Sequence, residues 1–263
     1  MTPPASKTPF QILIVRHPPP GVPQAAFISG LDALVDEFLT LPVSGIFQAV
    51  EIFVPKTDFA VNSKFEEMGF STTPPLNPVV LRLQTEVSAE YIIGSKESYL
   101  KFLASSDFGR LISEGETSFG LNANVNAGQS ARGPYWVLVF DLLAEGANDD
   151  VHGIAEKFHK KLAPRVQEWL QFPVAQKTVL KHQIYQSNSE ISNEMERLGL
   201  GYPAPRPTLA LFGEYSDLES LKEAIYAPET VDIAVNRVTP KALSTSYTVQ
   251  SFVADVIVKK STI

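Results

Sequence analysis

The sequence of 263 residues contains no cysteine, which excludes disulfides, thiolate zinc sites and a cysteine nucleophile, and fits a reducing compartment. Positive charge is also scarce, since 22 Lys and Arg stand against 29 Asp and Glu. Nucleic acids and anionic membranes attract cationic surfaces, so we expect neither as a partner. Charged residues make up 19% of the chain and hydrophobic residues 44%, which is enough for a sizeable core.

Long apolar runs and metal-binding patterns are missing as well. No segment approaches the roughly 20 apolar residues that cross a bilayer, and the start of the chain lacks the apolar core of a signal peptide. His152 and His159 stand two helical turns apart, about 10.5 Å, which is too far to share one metal ion. No glycine-rich nucleotide motif is present. We therefore expect a cytoplasmic protein that uses no metal and no organic cofactor.

Many of the 20 prolines belong to a pattern that recurs about half a chain later. Four pairs of segments match in the same order, at similar offsets, which predicts an internal duplication. The matches are Pro9–Arg16 with Pro134–Asp141 at an offset of 125, Pro42-Val43 with Pro173-Val174 at 131, Glu67–Phe70 with Arg197–Leu200 at 130, and Asn77-Pro78 with Arg206-Pro207 at 129.

Hydrophobic periodicity predicts the same element order, β-α-β-(short α)-β-α-β, in each half. This order predicts an α+β protein of two ferredoxin-like βαββαβ repeats, packed sheet to sheet around a lumen as an intramolecular α/β barrel. The predicted strands are 10–16, 48–54, 79–85 and 119–126, then 135–141, 178–185, 207–215 and 246–256; the predicted helices are 24–41, 62–68 and 96–112, then 151–170, 193–198 and 217–235. The predicted boundaries are an extended N-terminus 1–8, a first repeat 9–128, a linker 129–133, a second repeat 134–258 and a tail 259–263.

The duplicated order resembles tandem members of the dimeric α/β-barrel superfamily, of the EthD-like or stress-responsive type known from fungi, over residues 10–258. The helix segment Phe158-His-Lys-Lys-Leu-Ala-Pro-Arg-Val166 keeps the Ala-Pro pair and the following apolar residue of the EthD-type pattern, with Leu162 where that pattern has histidine. The resemblance implies the barrel fold. The superfamily includes cyclases, monooxygenases, decarboxylases and dehydratases, so it does not select an activity.

Superposing the two halves at these offsets predicts pairs of residues on the lumen wall. The first-strand offset makes Arg16 equivalent to Asp141, and such opposite charges could bracket a polar ligand. The second-strand offset makes Glu51 equivalent to His182, and a carboxylate and an imidazole in one lumen could act as general acid and base. Alternatively, both pairs lie on exposed strand ends and faces.

Three further residues are candidates for orienting a substrate. Arg82 interrupts an otherwise apolar strand, Tyr185 ends a strand of the second half, and Asn124 lies in a strand with alternating amides. If these side chains face the lumen they would bind carbonyl or hydroxyl groups. If they face outward they are ordinary solvated residues.

The predicted function is a cofactor-independent small-molecule enzyme, a cyclase, dehydratase or related acid/base catalyst, acting in the lumen on a hydrophobic, polyketide-like metabolite. His182 and Glu51 would be catalytic, and the substrate would be oriented by Arg16, Asp141, Tyr185, Asn124 and Arg82. The alternative is a non-catalytic ligand-binding or stress-related barrel. We expect a monomer or homodimer, since the duplication supplies the sheet partner that single-repeat relatives obtain by dimerising. A lumen plugged by Phe and Leu would instead favour a structural role.

Overall fold

The computed structural model describes residues 9–41, 44–45, 47–59, 61–70, 78–88, 116–118, 124–126, 133–143, 151–186 and 207–261. The first half contains β1 (Pro9–Arg16), α1 (Gln24–Leu39), β2 (Phe47–Pro55), α2 (Val61–Glu67), β3 (Val79–Ser88), β4 (Glu116–Ser118) and β5 (Asn124–Asn126). The second half contains β6 (Tyr135–Leu142), α3 (Val151–Leu170), α4 (Pro173–Thr178), β7 (Val179–Gln186), β8 (Thr208–Tyr215), α5 (Leu218–Tyr226), α6 (Pro228–Arg237), α7 (Pro240–Leu243) and β9 (Tyr247–Ser261).

The described strands form one antiparallel sheet in the order β4-β1-β3-β2-β9-β6-β8-β7-β5. Strand β9 joins the halves, because its first part pairs with β6 and its second part with β2. The ends of this order, β4 and β5, are separated by only five residues in the chain, so Ser118 and Asn124 lie at most about 21 Å apart. The sheet therefore curls until its edges approach each other. This is the predicted fold, two ferredoxin-like repeats in one α/β barrel.

The inner face of the sheet, here called the lumen face, is filled by apolar side chains from both halves. Three aromatic pairs meet there edge to face: Phe53 with Tyr135 (ring centroids 5.1 Å apart), Phe53 with Phe212 (4.8 Å) and Tyr185 with Phe212 (5.1 Å). The cluster consists of Leu13, Val15, Phe53, Val80, Tyr135, Val137, Val139, Tyr185, Ala210, Phe212, Phe252 and Ala254.

The opposite face, here called the helix face, carries the larger described core. In the second half its sheet residues pack against helices α3 to α7. A segment of the first half also lies on this core, since Phe65 of α2 contacts Trp136 of β6 with ring centroids 5.5 Å apart. No described helix is both long and apolar enough to span a bilayer. The two halves thus share packing on both faces of the sheet.

Several prolines and polar caps mark where helices begin. Pro173, Pro228 and Pro240 are the first residues of α4, α6 and α7, a position whose N–H has no partner within the helix. Helix α5 begins after Asp217, whose carboxylate accepts a hydrogen bond of 2.7 Å from the backbone N–H of Ser220. The predicted helix 217–235 is therefore two helices, separated at Ala227 and Pro228.

Other predicted elements differ in their bounds or lie outside the described residues. The last strand continues to Ser261, three residues beyond the predicted end of the second repeat at 258. The predicted helices 96–112 and 193–198 and most of the linker 129–133 lie outside the described residues. The domain boundaries stay a prediction.

The faces of the first strands correct the offset between the two halves. Leu13 and Val15 of β1 lie on the lumen face, and so do Val137 and Val139 of β6. First-strand residues that share a face are therefore an even number of positions apart, whereas the sequence match predicts the odd offset of 125. Because side chains alternate between faces, an error of one residue exchanges the lumen face for the helix face.

At Gly133, just before β6, the chain passes very close to the end of β8. A Cβ atom at residue 133 would overlap the backbone carbonyl of Tyr215, so Gly133→Ala should destabilise the fold by about 1–3 kcal/mol. Gly30→Ala is the matched control, because Gly30 lies inside α1 with open space around it and the change should stabilise the helix by about 0.5–1 kcal/mol. Urea unfolding measures both, and two changes of the same sign would contradict the packing at Gly133.

Candidate functional site

Arg82 lies at the centre of a polar cluster on the lumen face. It is 4% exposed, and its Nε donates a hydrogen bond of 2.5 Å to Glu51 Oε2. Its Nη1 donates to Gln183 Oε1 at 2.5 Å and to Tyr185 Oη at 2.8 Å. Glu51 belongs to β2 of the first half, whereas Gln183 and Tyr185 belong to β7 of the second. Arg82 therefore bridges the lumen between the two halves.

The surroundings of Arg82 keep it charged. Burial by itself would lower its pKa, but the neighbouring Tyr185, Glu51 and Tyr135 side chains raise that pKa above the ordinary value. The guanidinium also lies over the ring of Phe53, with 5.3 Å from Cζ to the ring centroid. The structure thus brings together Glu51, Arg82 and Tyr185, three of the predicted site residues, and binds them to one another.

A second buried carboxylate lies near this cluster. Glu214 is fully buried and accepts hydrogen bonds from Tyr135 Oη at 2.7 Å and from the backbone N–H of Gly133 at 3.3 Å. Lys181 is half-buried, and burial together with the charge of Arg82 lowers its pKa. Among these groups, the lumen face therefore holds two acidic residues, Glu51 and Glu214, and two basic residues, Arg82 and Lys181.

His182 lies on the other face of the sheet. Its neighbours Gln183 and Tyr185 meet Arg82 in the lumen, while His182 points with Ile184 towards the helices. The prediction that His182 and Glu51 share the lumen is therefore wrong. In both β2 and β7 the odd-numbered residues face the lumen. The predicted offset of 131 is odd, so it pairs a lumen residue of one strand with a helix-face residue of the other.

The second predicted pair is separated in the same way. Arg16 is buried on the helix face, with its Cζ 5.6 Å from the ring centroid of Phe27 in α1. Asp141 lies two and four residues after Val139 and Val137 on the same strand, so it belongs with them to the lumen face. Arg16 and Asp141 cannot bracket one ligand. The backbone of Asn124 pairs with Ile184, but its side chain lies outside the described residues.

His182 faces an interior cavity of about 90 Å³ between the sheet and the helices of the second half. Aromatic and aliphatic side chains form most of the wall, and few groups on it can exchange protons or hydrogen bonds. The lining residues are Phe65, Phe70, Trp136, Leu138, Phe140, Leu162, Arg165, Val166, Trp169, His182, Leu211, Gly213, Tyr215, Thr230, Ile233, Ala234 and Val238.

The imidazole of His182 is held neutral in this wall. The side chain is 6% exposed, and burial lowers its pKa from 6.5 to about 4. No hydrogen bond joins its ring nitrogens to a residue that the structure describes. At neutral pH the ring can therefore accept a proton or a hydrogen bond from a molecule in the cavity.

Tyr215 is another polar residue of the cavity wall, and the sequence prediction missed it. Its ring is fully buried, and its hydroxyl has no hydrogen-bond partner within the described part of the chain. Burial raises the pKa of Tyr215, so the hydroxyl stays protonated and can donate. A Cβ atom at Gly213 would lie 3.2 Å from the ring. A glycine two residues before an aromatic residue in a strand was the available signal for this close approach.

A surface cleft of about 200 Å³ lies next to the cavity, where the end of α3 meets α4 and β7. Its lining residues are Gln167, Leu170, Gln171, Ala175, Gln176, Val179, Leu180, Lys181 and His182. His182 belongs to the lining of both hollows. Among the described residues, no three His, Asp or Glu side chains are grouped so that they could hold a metal ion.

The fold places the chain among ferredoxin-like α/β barrels, and comparison with solved structures agrees. An anthrone oxidase-like protein superposes with a TM-score of 0.54 over 98% of this chain and 95% of its own, at 8% identity. A ferredoxin fold protein from Listeria monocytogenes, related to antibiotic biosynthesis monooxygenases, covers 80% of this chain and 95% of its own at 7% identity. Its TM-score is 0.33.

Sequence comparison adds no closer relative. No protein-family model matches the chain, and no curated protein matches it. At 8% identity, the likeness to the anthrone oxidase-like protein shows a common fold and leaves the activity open. The narrower resemblance to EthD-like fungal barrels stays a prediction.

The bridge at Arg82 should be energetically coupled across the lumen. Arg82→Met leaves the partly buried Glu51 and the buried Gln183 without their donor, so it should cost about 3–5 kcal/mol. In the double variant with Glu51→Leu no unpaired carboxylate remains, and its loss should be smaller than the sum of the two single losses. Urea unfolding of the four proteins measures the coupling, and additive losses would contradict the bridge.

Burial of His182 should make stability depend on pH. The unfolded chain binds a proton near pH 6.5 and the native imidazole only near pH 4, so native stability should fall as pH decreases through this range. The shift corresponds to roughly 3 kcal/mol in total. His182→Leu should lack this component while keeping the pH dependence of the carboxylates. Unfolding free energies of both proteins at pH 7, 5.5 and 4 test this, and parallel profiles would show that His182 is protonated normally.

Proposed function

We propose that this protein is a cofactor-independent small-molecule enzyme whose acid/base chemistry takes place in the cavity on the helix face of the second half. The observation that carries this proposal is the meeting of two side chains in an otherwise apolar cavity: His182, whose imidazole burial keeps neutral, and Tyr215, whose buried hydroxyl has no partner among the described residues. Buried polar groups normally have partners, so the unpartnered Tyr215 hydroxyl beside a neutral imidazole favours a ligand that supplies one.

The two groups have complementary roles in a proton-transfer step. Neutral His182 is the proton acceptor and takes a proton from an acidic C–H or phenolic O–H of the substrate. Protonated Tyr215 is the hydrogen-bond donor to the enolate or phenolate oxygen that forms. The imidazolium then lies beside the new anion, which offsets the cost of placing its charge in an apolar wall.

The charges around the site favour such an anion. The other ionisable residues in the two linings are Arg165 and Lys181, both basic, and no carboxylate of the described residues lines either hollow. Arg165 is exposed and lies 3.6 Å from Glu168, so its contribution is partly compensated. Lys181 also lines the cleft, but the charges that influence its pKa, Arg82, Glu51 and Glu214, belong to the lumen face. A negatively charged intermediate therefore meets no nearby acidic side chain in the walls.

The substrate class follows from the apolar lining and from the step itself. A hydrophobic, polyketide-like ketone or phenol offers both an acidic proton and an oxygen for Tyr215. Enolate formation begins cyclisations and dehydrations alike, and it would also begin the oxidation of an anthrone, the chemistry named for the structurally similar anthrone oxidase-like protein. Deprotonation is the part of these reactions that residues of this chain can perform.

A non-catalytic binding function is the second candidate, and the size of the cavity favours it. About 90 Å³ is small, whereas pockets for drug-sized ligands measure about 300–1,000 Å³. A binding protein of this kind would be stabilised by a small apolar ligand without forming product.

Exchange of an acidic proton tests the enzymatic proposal directly. In deuterated buffer without oxygen, the protein should accelerate exchange of the acidic C–H protons of 2-indanone or anthrone, which NMR detects. His182→Ala removes the proton acceptor and should reduce the acceleration by about 100-fold or more. Tyr215→Phe should reduce it by about 10- to 100-fold, since one oxyanion donor is lost.

Glu51→Gln is the matched control for the lumen. Because Glu51 lies on the lumen face and is bound to Arg82, its substitution should leave exchange catalysis intact in the folded fraction. If Glu51→Gln abolished exchange and His182→Ala did not, the reaction would belong to the lumen. If the protein bound these ketones without accelerating exchange, the non-catalytic function would replace the enzymatic one.

A further inference from the structure

We infer that the ligand of this site, if the proposed function holds, is an elongated amphipathic molecule whose apolar ring lies in the cavity and whose neutral hydrogen-bonding end lies in the adjoining cleft. The inference rests on three features: the small volume of the cavity, the position of His182 between the two hollows and the amide lining of the cleft.

His182 separates the two hollows. It is the one residue shared by their described linings, and its side chain is 6% exposed. A ligand that exceeds about 90 Å³ and contacts His182 from inside must extend elsewhere. His182 also belongs to the lining of the adjoining cleft of about 200 Å³, so a ligand that extends past His182 reaches accessible volume.

The two hollows differ in chemistry, which orients the ligand. The cavity wall is almost wholly apolar, with phenyl and indole rings on several sides. The cleft instead presents three exposed glutamines, Gln167 and Gln171 at the end of α3 and Gln176 on α4. Glutamine amides both donate and accept hydrogen bonds. They suit a neutral amide, hydroxyl or sugar group better than an acidic or basic one.

Backbone hydrogen bonds fix the main chain at two of these glutamines. The N–H of Gln171 donates to Glu168 O at 3.1 Å, and the N–H of Gln176 donates to Phe172 O at 3.0 Å. The short α4 then leads directly into β7, the strand that carries His182. The polar end of the cleft and the imidazole are therefore linked through a few residues of regular structure.

A pair of probes with the same ring tests the inference. Phenol should bind in the cavity alone, whereas N-acetyltyramine adds an amide tail that should reach the cleft and bind about three- to tenfold more tightly, the gain of one net hydrogen bond. The double variant Gln171→Leu/Gln176→Leu should lose this gain and keep the affinity for phenol. Ser29→Leu, an exposed polar residue of α1, is the control and should change neither affinity.

Calorimetric titration of the full chain measures the dissociation constants. Equal affinity for the two probes in the unchanged protein, a gain that persists in the double variant, or failure of both probes to bind would overturn the elongated ligand. The proposed function fails by a different result, namely proton exchange that does not depend on His182, so the two failures are distinguishable.

Discussion

The hydrogen bonding of β9 to strands of both halves is the interaction on which this structure depends. Because β9 pairs with β6 along its first part and with β2 along its second, the two repeats belong to one curled sheet and cannot separate without breaking a ladder. The lumen cluster then draws on both halves, and Phe65 of the first half packs on Trp136 of the second. Within the described residues, the two repeats therefore share core packing.

On the lumen face, Arg82 is bound to its protein neighbours and so has a structural role. The candidate site lies on the opposite, helix face. A buried guanidinium is tolerable only with its charge paired and its donors satisfied, and Glu51, Gln183 and Tyr185 meet both needs. Two of these partners, Gln183 and Tyr185, lie on β7. They alternate along the strand with His182 and Ile184, whose side chains point away from the lumen. The same strand is thus fixed by polar contacts on one face and presents an imidazole to an apolar cavity on the other.

Period-two alternation explains which site predictions succeeded. The duplicated order of elements and the early strands of both halves follow from periodicity, so they could be predicted, whereas the helix starts at Pro173, Pro228 and Pro240 were missed. The face on which a strand residue lies depends on a register that must be correct to one residue. The offsets 125 and 131 are odd, and each paired a lumen residue with a helix-face residue, as with Glu51 and His182.

By itself, the sequence determined a duplicated α+β chain without cysteine, with an apolar interior and with strands and helices in ferredoxin-like order, because these features depend on composition and short-range periodicity. Only the tertiary structure decided that the donors of Arg82 are bound by Glu51, Gln183 and Tyr185, and that His182 and Tyr215 meet in one cavity. Their meeting depends on strand register and on helix packing between residues distant in the chain, and no local pattern encodes either.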